Sequence, residues 1–183
     1  TSYGKWFVKQ LQENIDWFFH QTQMSLALAK SIGLTKSSVT GDTRFDRVKQ
    51  LRHRNNHVAF IEDFIGEDKT VVFGSSWQAE EKIALEVSQG SPYAKLIIAP
   101  HDLKRVSHLK QLFPEAILYS EINSGENFNS NILIIDSIGL LSKLYSYADV
   151  AVVGGGFHEA GLHNILEAAT FGVPVIFGNH YRK

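Results

Sequence analysis

Four stretches of this chain put small or polar residues directly after an apolar run, where backbone N–H groups and hydroxyls could hold an anion. They are Gly74-Ser-Ser-Trp77, Pro100-His101, Asp136-Ser-Ile-Gly-Leu140, and Gly161-Leu-His-Asn-Ile-Leu-Glu167 behind the triple glycine of Val150-Ala-Val-Val-Gly-Gly-Gly-Phe157. Each also has a plain structural reading. Ser75 and Gln78 have capping-box spacing, as do Asn164 and Glu167. Asp136 or Ser137 could cap a helix, and His101 could serve as a structural hydrogen-bond donor. Glu167 is in addition placed to accept ribose hydroxyls, and Gly139 could let a ligand approach the backbone. Their repetition at four strand ends points to one shared crevice. Arg44 stands apart as a cation in the first turn of a helix that Asp42 can cap, an unfavourable place for the helix dipole and so a hint of another purpose. From there it is expected to point toward the crevice.

These groups need a scaffold that lines up strand ends, and from Lys69 onward the pattern supplies one. Short β-branched runs alternate with amphipathic segments, as in βαβ units around a parallel sheet. Strands are expected over 70–73, 95–99, 116–119, 132–135, 150–153 and 174–177, and their continuous apolar character implies burial on both faces. Helices are expected over 77–88, 103–112, 139–146 and 164–171, the last stopped by Gly172 and Pro174. The Asn-, Ser- and Gly-rich stretch 120–130 reads as a surface loop. Upstream, 5–11 and 25–32 read as helices, 15–19 as an aromatic strand, and 40–47 as a turn opening a helix.

The formal net charge of -1 and the pI near 6.7 leave no field that would gather nucleic acid or an anionic membrane surface, so a bound anion must be held locally. Cysteine is absent, which removes disulfides, zinc-thiolate sites and a cysteine nucleophile, and suits a reducing compartment. No apolar run approaches the roughly 20 residues of a membrane helix. His158 and His163 flank Glu159, but a zinc-protease motif needs His-Glu-x-x-His, and the longer spacing here would put the rings on different faces of any helix. His53 and His57 have helical spacing with no third ligand in view. No metal or cofactor is expected. Walker, Gly-x-Ser-x-Gly and Gly-x-Gly-x-x-Gly motifs are missing, which weakens hydrolase and nicotinamide readings.

Taken in order, Val39-Thr-Gly-Asp-Thr-Arg-Phe-Asp-Arg-Val48, Asp136-Ser-Ile-Gly-Leu-Leu, Leu144-Tyr-Ser-Tyr-Ala-Asp149, Val153-Gly-Gly-Gly-Phe and Gly161-Leu-His-Asn-Ile-Leu-Glu167 resemble the Kdo (3-deoxy-D-manno-octulosonic acid) transferases of lipopolysaccharide inner-core synthesis. The resemblance runs from about Gln21 to the end. It implies an α/β fold, a Rossmann-like parallel sheet with helices on both faces, forming the C-terminal half of a GT-B glycosyltransferase. Residues 1–38 would be the tail of an N-terminal domain and linker, and 39–183 a donor-binding domain cut short at its end. The donor would be CMP-Kdo and the acceptor a lipid A precursor, engaged through an N-terminal domain that also carries the general base. Transfer would be inverting and metal-independent, at the cytoplasmic face of the bacterial inner membrane.

By the same resemblance, CMP would lie against Pro100 and His101, against Ile138, Gly139 and Leu140, and against Asn164, Ile165, Leu166 and Glu167, with Gly74, Ser75 and Ser76 lining the cleft. Arg44 would stabilise charge developing during transfer. This chain has His101 where many members carry arginine. The fragment alone is expected to bind CMP weakly and transfer nothing. Two other readings stand beside this one: an isomerase of the UDP-N-acetylglucosamine 2-epimerase type, which would prefer UDP, and a nucleotide-binding module without catalysis.

Overall fold

The computed structural model describes residues 2–123, 128–159 and 161–181; residues 124–127 of the expected 120–130 loop lie outside them. The chain divides into two units between Arg47 and Val48.

The first unit holds helix α1 (Ser2–Asn14), strand β1 (Phe18–His20), helix α2 (Gln23–Ser31), strand β2 (Ser37–Val39) and the start of helix α3 (Thr43–His53). β1 and β2 pair in parallel with α2 as their crossover. The side chain of Thr22 caps α2 by accepting from the Ser25 N–H at 3.1 Å. Gly33 turns the chain out of α2 at a φ of 91°, as the sequence pattern implies.

The second unit is a six-stranded, all-parallel sheet. Helix α4 (Ile61–Ile65) precedes strand β3 (Thr70–Ser76), followed by helix α5 (Gln78–Gly90), strand β4 (Lys95–Pro100), helix α6 (Val106–Leu112), strand β5 (Ile117–Leu118) and strand β6 (Ile132–Ile134). Helix α7 (Leu141–Leu144), strand β7 (Val150–Val153), helix α8 (Leu166–Ala169) and strand β8 (Val175–Phe177) complete it. The strand order is β5-β6-β4-β3-β7-β8.

All six expected strands form; the inner strands are buried on both faces, whereas β5 at one edge is partly buried and β8 at the other leaves Ile176 and Phe177 exposed. Phe73, Leu96, Ile98, Ile132, Ile134 and Val152 face α5 and α6 on one side. Val72, Ile97, Leu133, Ile135, Ala151 and Val153 face α4, α7 and α8 on the other. Each such large side chain contributes about 1.5–3 kcal/mol on burial. The expected 77–88 helix forms as α5 and runs on to Gly90, while the other three split or shorten at their ends. The 103–112 segment begins as a 3-10 turn over Leu103–Arg105, and the 139–146 segment is α7 followed by a 3-10 turn over Tyr145–Tyr147. α8 begins two residues later than expected, at Leu166.

The winding reverses between β3 and β7, where an open α/β sheet usually holds its ligand. Here that point is filled by backbone. The Gly154 N–H donates to the Gly74 carbonyl at 2.9 Å, and a Cβ added to Gly154 would lie 2.0 Å from the Ser75 carbonyl oxygen. The β3 ladder is correspondingly distorted at its end, with a register shift between Gly74 and Ser76 and a φ of 52° at Ser75.

Candidate functional site

The open space lies one strand over, at the carboxyl ends of β4 and β6. After β4 the chain leaves toward α6 on one face of the sheet, and after β6 it leaves toward α7 on the other. Between the two exits is a cavity of about 610 Å³, lined by Trp77, Pro100, His101, Arg105, Ile138 and Gly139 among others. This is the size range of small-molecule sites.

Its wall on the β3 and β4 side is a stack of rings. The His101 N–H donates to the Ser76 carbonyl at 3.0 Å, extending the ladder by one residue and setting His101 beside Trp77. The two rings lie face to face, with centroids 4.4 Å apart and planes inclined by 20°. His163 lies 4.6 Å from His101, and its Nε2 accepts the Trp77 indole N–H at 3.4 Å. His158 meets Trp77 edge-on at 4.9 Å. Neither His158 nor His163 lies in a helix, so the argument that their spacing separates the two histidines does not hold; both rings meet Trp77. Among the described residues no group of three His, Asp or Glu side chains is placed to hold a metal. His57 lies beyond the end of α3 and approaches Glu62 at 3.3 Å.

The start of α5 locks this wall. Glu80, fully buried, accepts the Trp77 N–H at 2.9 Å through one carboxylate oxygen and the Gly155 N–H at 2.9 Å through the other. This corrects the expected capping box of Ser75 and Gln78. The strand runs on through Ser76, so Trp77 becomes the capping position and the reciprocal carboxylate is Glu80. The Ser76 Oγ is buried and has no hydrogen-bond partner among the described residues. Glu81 is also buried and takes a two-armed bond from Arg105, with Nε donating to Oε1 at 2.7 Å and Nη2 to Oε2. That bond pushes the Arg105 guanidinium pKa above its ordinary value.

The opposite wall is backbone. Ile138 is 88% exposed, and Gly139 has a φ of 90° with nothing within 4 Å of where a Cβ would stand. Asp136 does not cap α7, which starts only at Leu141; it accepts the N–H and Oγ–H of Ser120 at the end of β5. Ser137 caps nothing either, and its buried Oγ has no partner among the described residues.

Of the expected site residues, Pro100, His101, Ile138 and Gly139 line the cavity. Leu140 does not; it packs against the core under α7. Gly74 sits beneath Tyr145, where a Cβ would lie 1.9 Å from the phenol oxygen. Burial pushes the Tyr145 pKa up, and the Glu167 carboxylate adds to the shift. Asn164 and Glu167 do not form a capping box. The Asn164 Oδ1 accepts the Leu166 N–H at 3.1 Å, and its Nδ2 donates to Glu167 at 3.2 Å, because α8 starts too late for Glu167 to reach back to the Asn164 N–H. Ile165 packs on the core. Trp77, Asp102, Arg105 and Glu80 were not singled out; an aromatic residue directly after a Gly-Ser-Ser strand end was the available signal for the first.

Arg44 belongs to the first unit. Asp42 caps α3 as expected, accepting the Arg44 N–H at 2.9 Å. The Arg44 guanidinium, instead of extending freely from the helix, folds back on that carboxylate at 2.6–3.0 Å. Gln21 donates to the same carboxylate at 2.6 Å. The Arg44 bonds hold the Asp42 pKa down to about 2 and raise that of Arg44.

No protein-family model matches the chain. A bifunctional glycosyltransferase/methyltransferase of Fusobacterium nucleatum is 30% identical over 187 residues, covering 96% of this chain and 29% of that protein. A 3-deoxy-D-manno-octulosonic acid transferase of Aquifex aeolicus is 25% identical over 184 residues, covering 98% of this chain and 48% of the relative. The chain therefore spans less than half the length of either relative. In fold it is similar to the C-terminal CMP-Kdo binding domain of WaaA from Acinetobacter baumannii, with a TM-score of 0.56, 21% identity, and coverage of 76% of this chain and 73% of that one. UDP-GlcNAc 2-epimerase from Neisseria meningitidis has a TM-score of 0.53 at 21% identity, over 87% of this chain and 42% of that one. The two structural likenesses agree on a Rossmann-like half of the GT-B type. Across nearly all of its length the chain is similar in sequence to Kdo transferases.

Proposed function

We propose that this chain supplies the donor site of a glycosyltransferase that moves Kdo from CMP-Kdo to a lipid A precursor in lipopolysaccharide synthesis. One observation carries the reading. The cavity at the ends of β4 and β6 is lined by both Pro100-His101 and Ile138-Gly139, which belong to two of the three motifs that the resemblance assigns to CMP.

The exposed backbone at Ile138-Gly139 offers N–H and C=O groups to a base edge. Cytosine presents an amino donor and a ring acceptor where uracil presents the reverse, so such a backbone edge can tell them apart. Glu167, held by Asn164, is available to ribose hydroxyls. Cleavage of the bond to CMP concentrates negative charge on one phosphate and positive character on the sugar, and preorganised donors and a cation stabilise that charge without a metal. Arg44 is the proposed cation. The base that deprotonates the acceptor hydroxyl, the lipid acceptor itself and work at the cytoplasmic face of the inner membrane belong to the proposal for the whole transferase; among the described residues no helix is long and apolar enough to cross a membrane.

Calorimetric titration of the 183-residue chain with CMP, UDP and GDP tests this. CMP is expected to bind in preference to the other two. A preference for UDP would overturn the reading in favour of an epimerase-like site, and binding of none of them would remove the nucleotide site altogether.

A further inference from the structure

The chain that carries Ile138 and Gly139 is tethered at its two ends and free between them. Before it, the Ile135 N–H donates to the Ile98 carbonyl at 2.8 Å, and the Ile135 side chain is buried. After it, the Leu140 carbonyl accepts the N–H groups of Lys143 and Leu144 at 2.8 and 3.1 Å as α7 begins. Among the described residues no hydrogen bond holds residues 137–139. The direction in which this stretch leaves the sheet is therefore set by what holds Asp136.

Asp136 is held in register with the neighbouring strand. β5 and β6 pair Ile117 with Leu133 and Leu118 with Ile134, so the same alternation sets Ser120 opposite Asp136. By that point β5 has passed into the 3-10 turn Tyr119–Glu121, and the backbone ladder has ended. The carboxylate takes over from it. Asp136 Oδ1 accepts the Ser120 N–H at 3.0 Å, and Oδ2 accepts the Ser120 Oγ–H. Two charge-assisted bonds from one residue fix orientation as well as distance. Beyond the turn, Ile122 is buried in the core, so the clasp is anchored to a packed element.

A staple for the edge strand β5 would need only this bond. Its place gives it a second consequence, because it lies two residues before Ile138 in a stretch with no other tether. We infer that Asp136 is a positioning residue for nucleobase recognition: clasped to Ser120, it aims the Ile138-Gly139 backbone at the base without touching the ligand. The inference rests on the reading of the cavity as a cytidine nucleotide site. Telling cytosine from uracil takes hydrogen bonds aligned within narrow limits of distance and angle, and a supporting residue that slackens loses that alignment first. Under the same reading the phosphate and ribose meet other residues, so loosening the clasp erodes choice between bases while sparing the rest of the ligand.

The test compares three ligands: CMP, UMP, and ribose 5-phosphate, which has no base. Each is titrated by calorimetry into the 183-residue chain and its variants, with thermal midpoints measured alongside. The parent is expected to prefer CMP over UMP by about tenfold. Asp136→Ala is expected to bring that ratio close to one, with ribose 5-phosphate binding unchanged. Asp136→Asn is expected to keep most of the preference, since its amide can accept the Ser120 N–H and donate to the Ser120 Oγ. Ser120→Ala removes one of the two bonds and is expected to lower the ratio in part, and adding it to Asp136→Ala is expected to lower the ratio no further. A parental CMP-to-UMP ratio in Asp136→Ala, whatever its thermal midpoint, overturns the inference and leaves Asp136 as an edge staple. If Asp136→Ala fails to fold, a parental ratio in Ser120→Ala overturns it in the same way. A parent chain that binds neither CMP nor UMP overturns the nucleotide reading itself.

Discussion

Replacing Glu80 tests how the ring wall is held. Its two carboxylate oxygens accept the N–H groups of Trp77 and Gly155, each at 2.9 Å, and the residue is fully buried. Glu80→Ala leaves two backbone donors without an acceptor, at about 1–3 kcal/mol each. Relief from burying a carboxylate offsets part of this, so the expected loss is about 1–5 kcal/mol. For a chain of this length that lowers the thermal midpoint by about 2–20 °C. Glu80→Gln keeps one acceptor oxygen and turns an amide N–H₂ toward the second donor, for an expected loss of about 1–3 kcal/mol. Urea unfolding of the parent and both variants gives the free energies, and near-ultraviolet circular dichroism reports the surroundings of Trp77. A loss under about 1 kcal/mol in Glu80→Ala, or parental stability in Glu80→Gln, would refute the two-donor account.

Gly154→Ala, which sets a Cβ 2.0 Å from the Ser75 carbonyl, is expected to cost about 3 kcal/mol or more, whereas Gly139→Ala, with open space around it, costs only the strain of a positive φ, about 1–2 kcal/mol; thermal melts compare them. In a protein that carries both transferase domains, Arg44→Ala is expected to lower turnover about a hundredfold with little change in thermal midpoint, and unchanged turnover would remove Arg44 from the mechanism. Asp42 has its pKa lowered from 3.8 to about 2 by Arg44, so what the pair adds to the start of α3 is present above pH 3.8 and lost as pH falls through about 2. The Asp42 carboxyl carbon shift should titrate near pH 2, and a midpoint near 4 would contradict the pairing.

The strands were legible because continuous apolar runs such as Lys95-Leu-Ile-Ile-Ala-Pro100 have few uses other than a strand buried on both faces. Helix starts were harder to read. Ser75 and Asn164 both have capping spacing, yet β3 runs on through Ser76 and α8 begins late, since tertiary packing outweighs a local cap worth about 1 kcal/mol. The site was half legible. Pro100, His101, Ile138 and Gly139 reach the cavity because they follow directly on strand ends, where backbone fixes direction. Trp77 is set there by its backbone N–H on Glu80 and Arg105 by its guanidinium on Glu81, and such buried acid pairings leave no spacing signature in the sequence.

The glycine-packed meeting of β3 and β7 divides the cavity mechanically. On that side, backbone touches backbone at Gly154 and Ser75, and the Glu80 carboxylate pins Trp77 to Gly155, leaving no slack. Across from it, Ile138 and Gly139 project into open space. A ligand seated there would meet one side braced by backbone and a ring stack and one side with room around it, so differences in ligand shape would be met at the Ile138-Gly139 side.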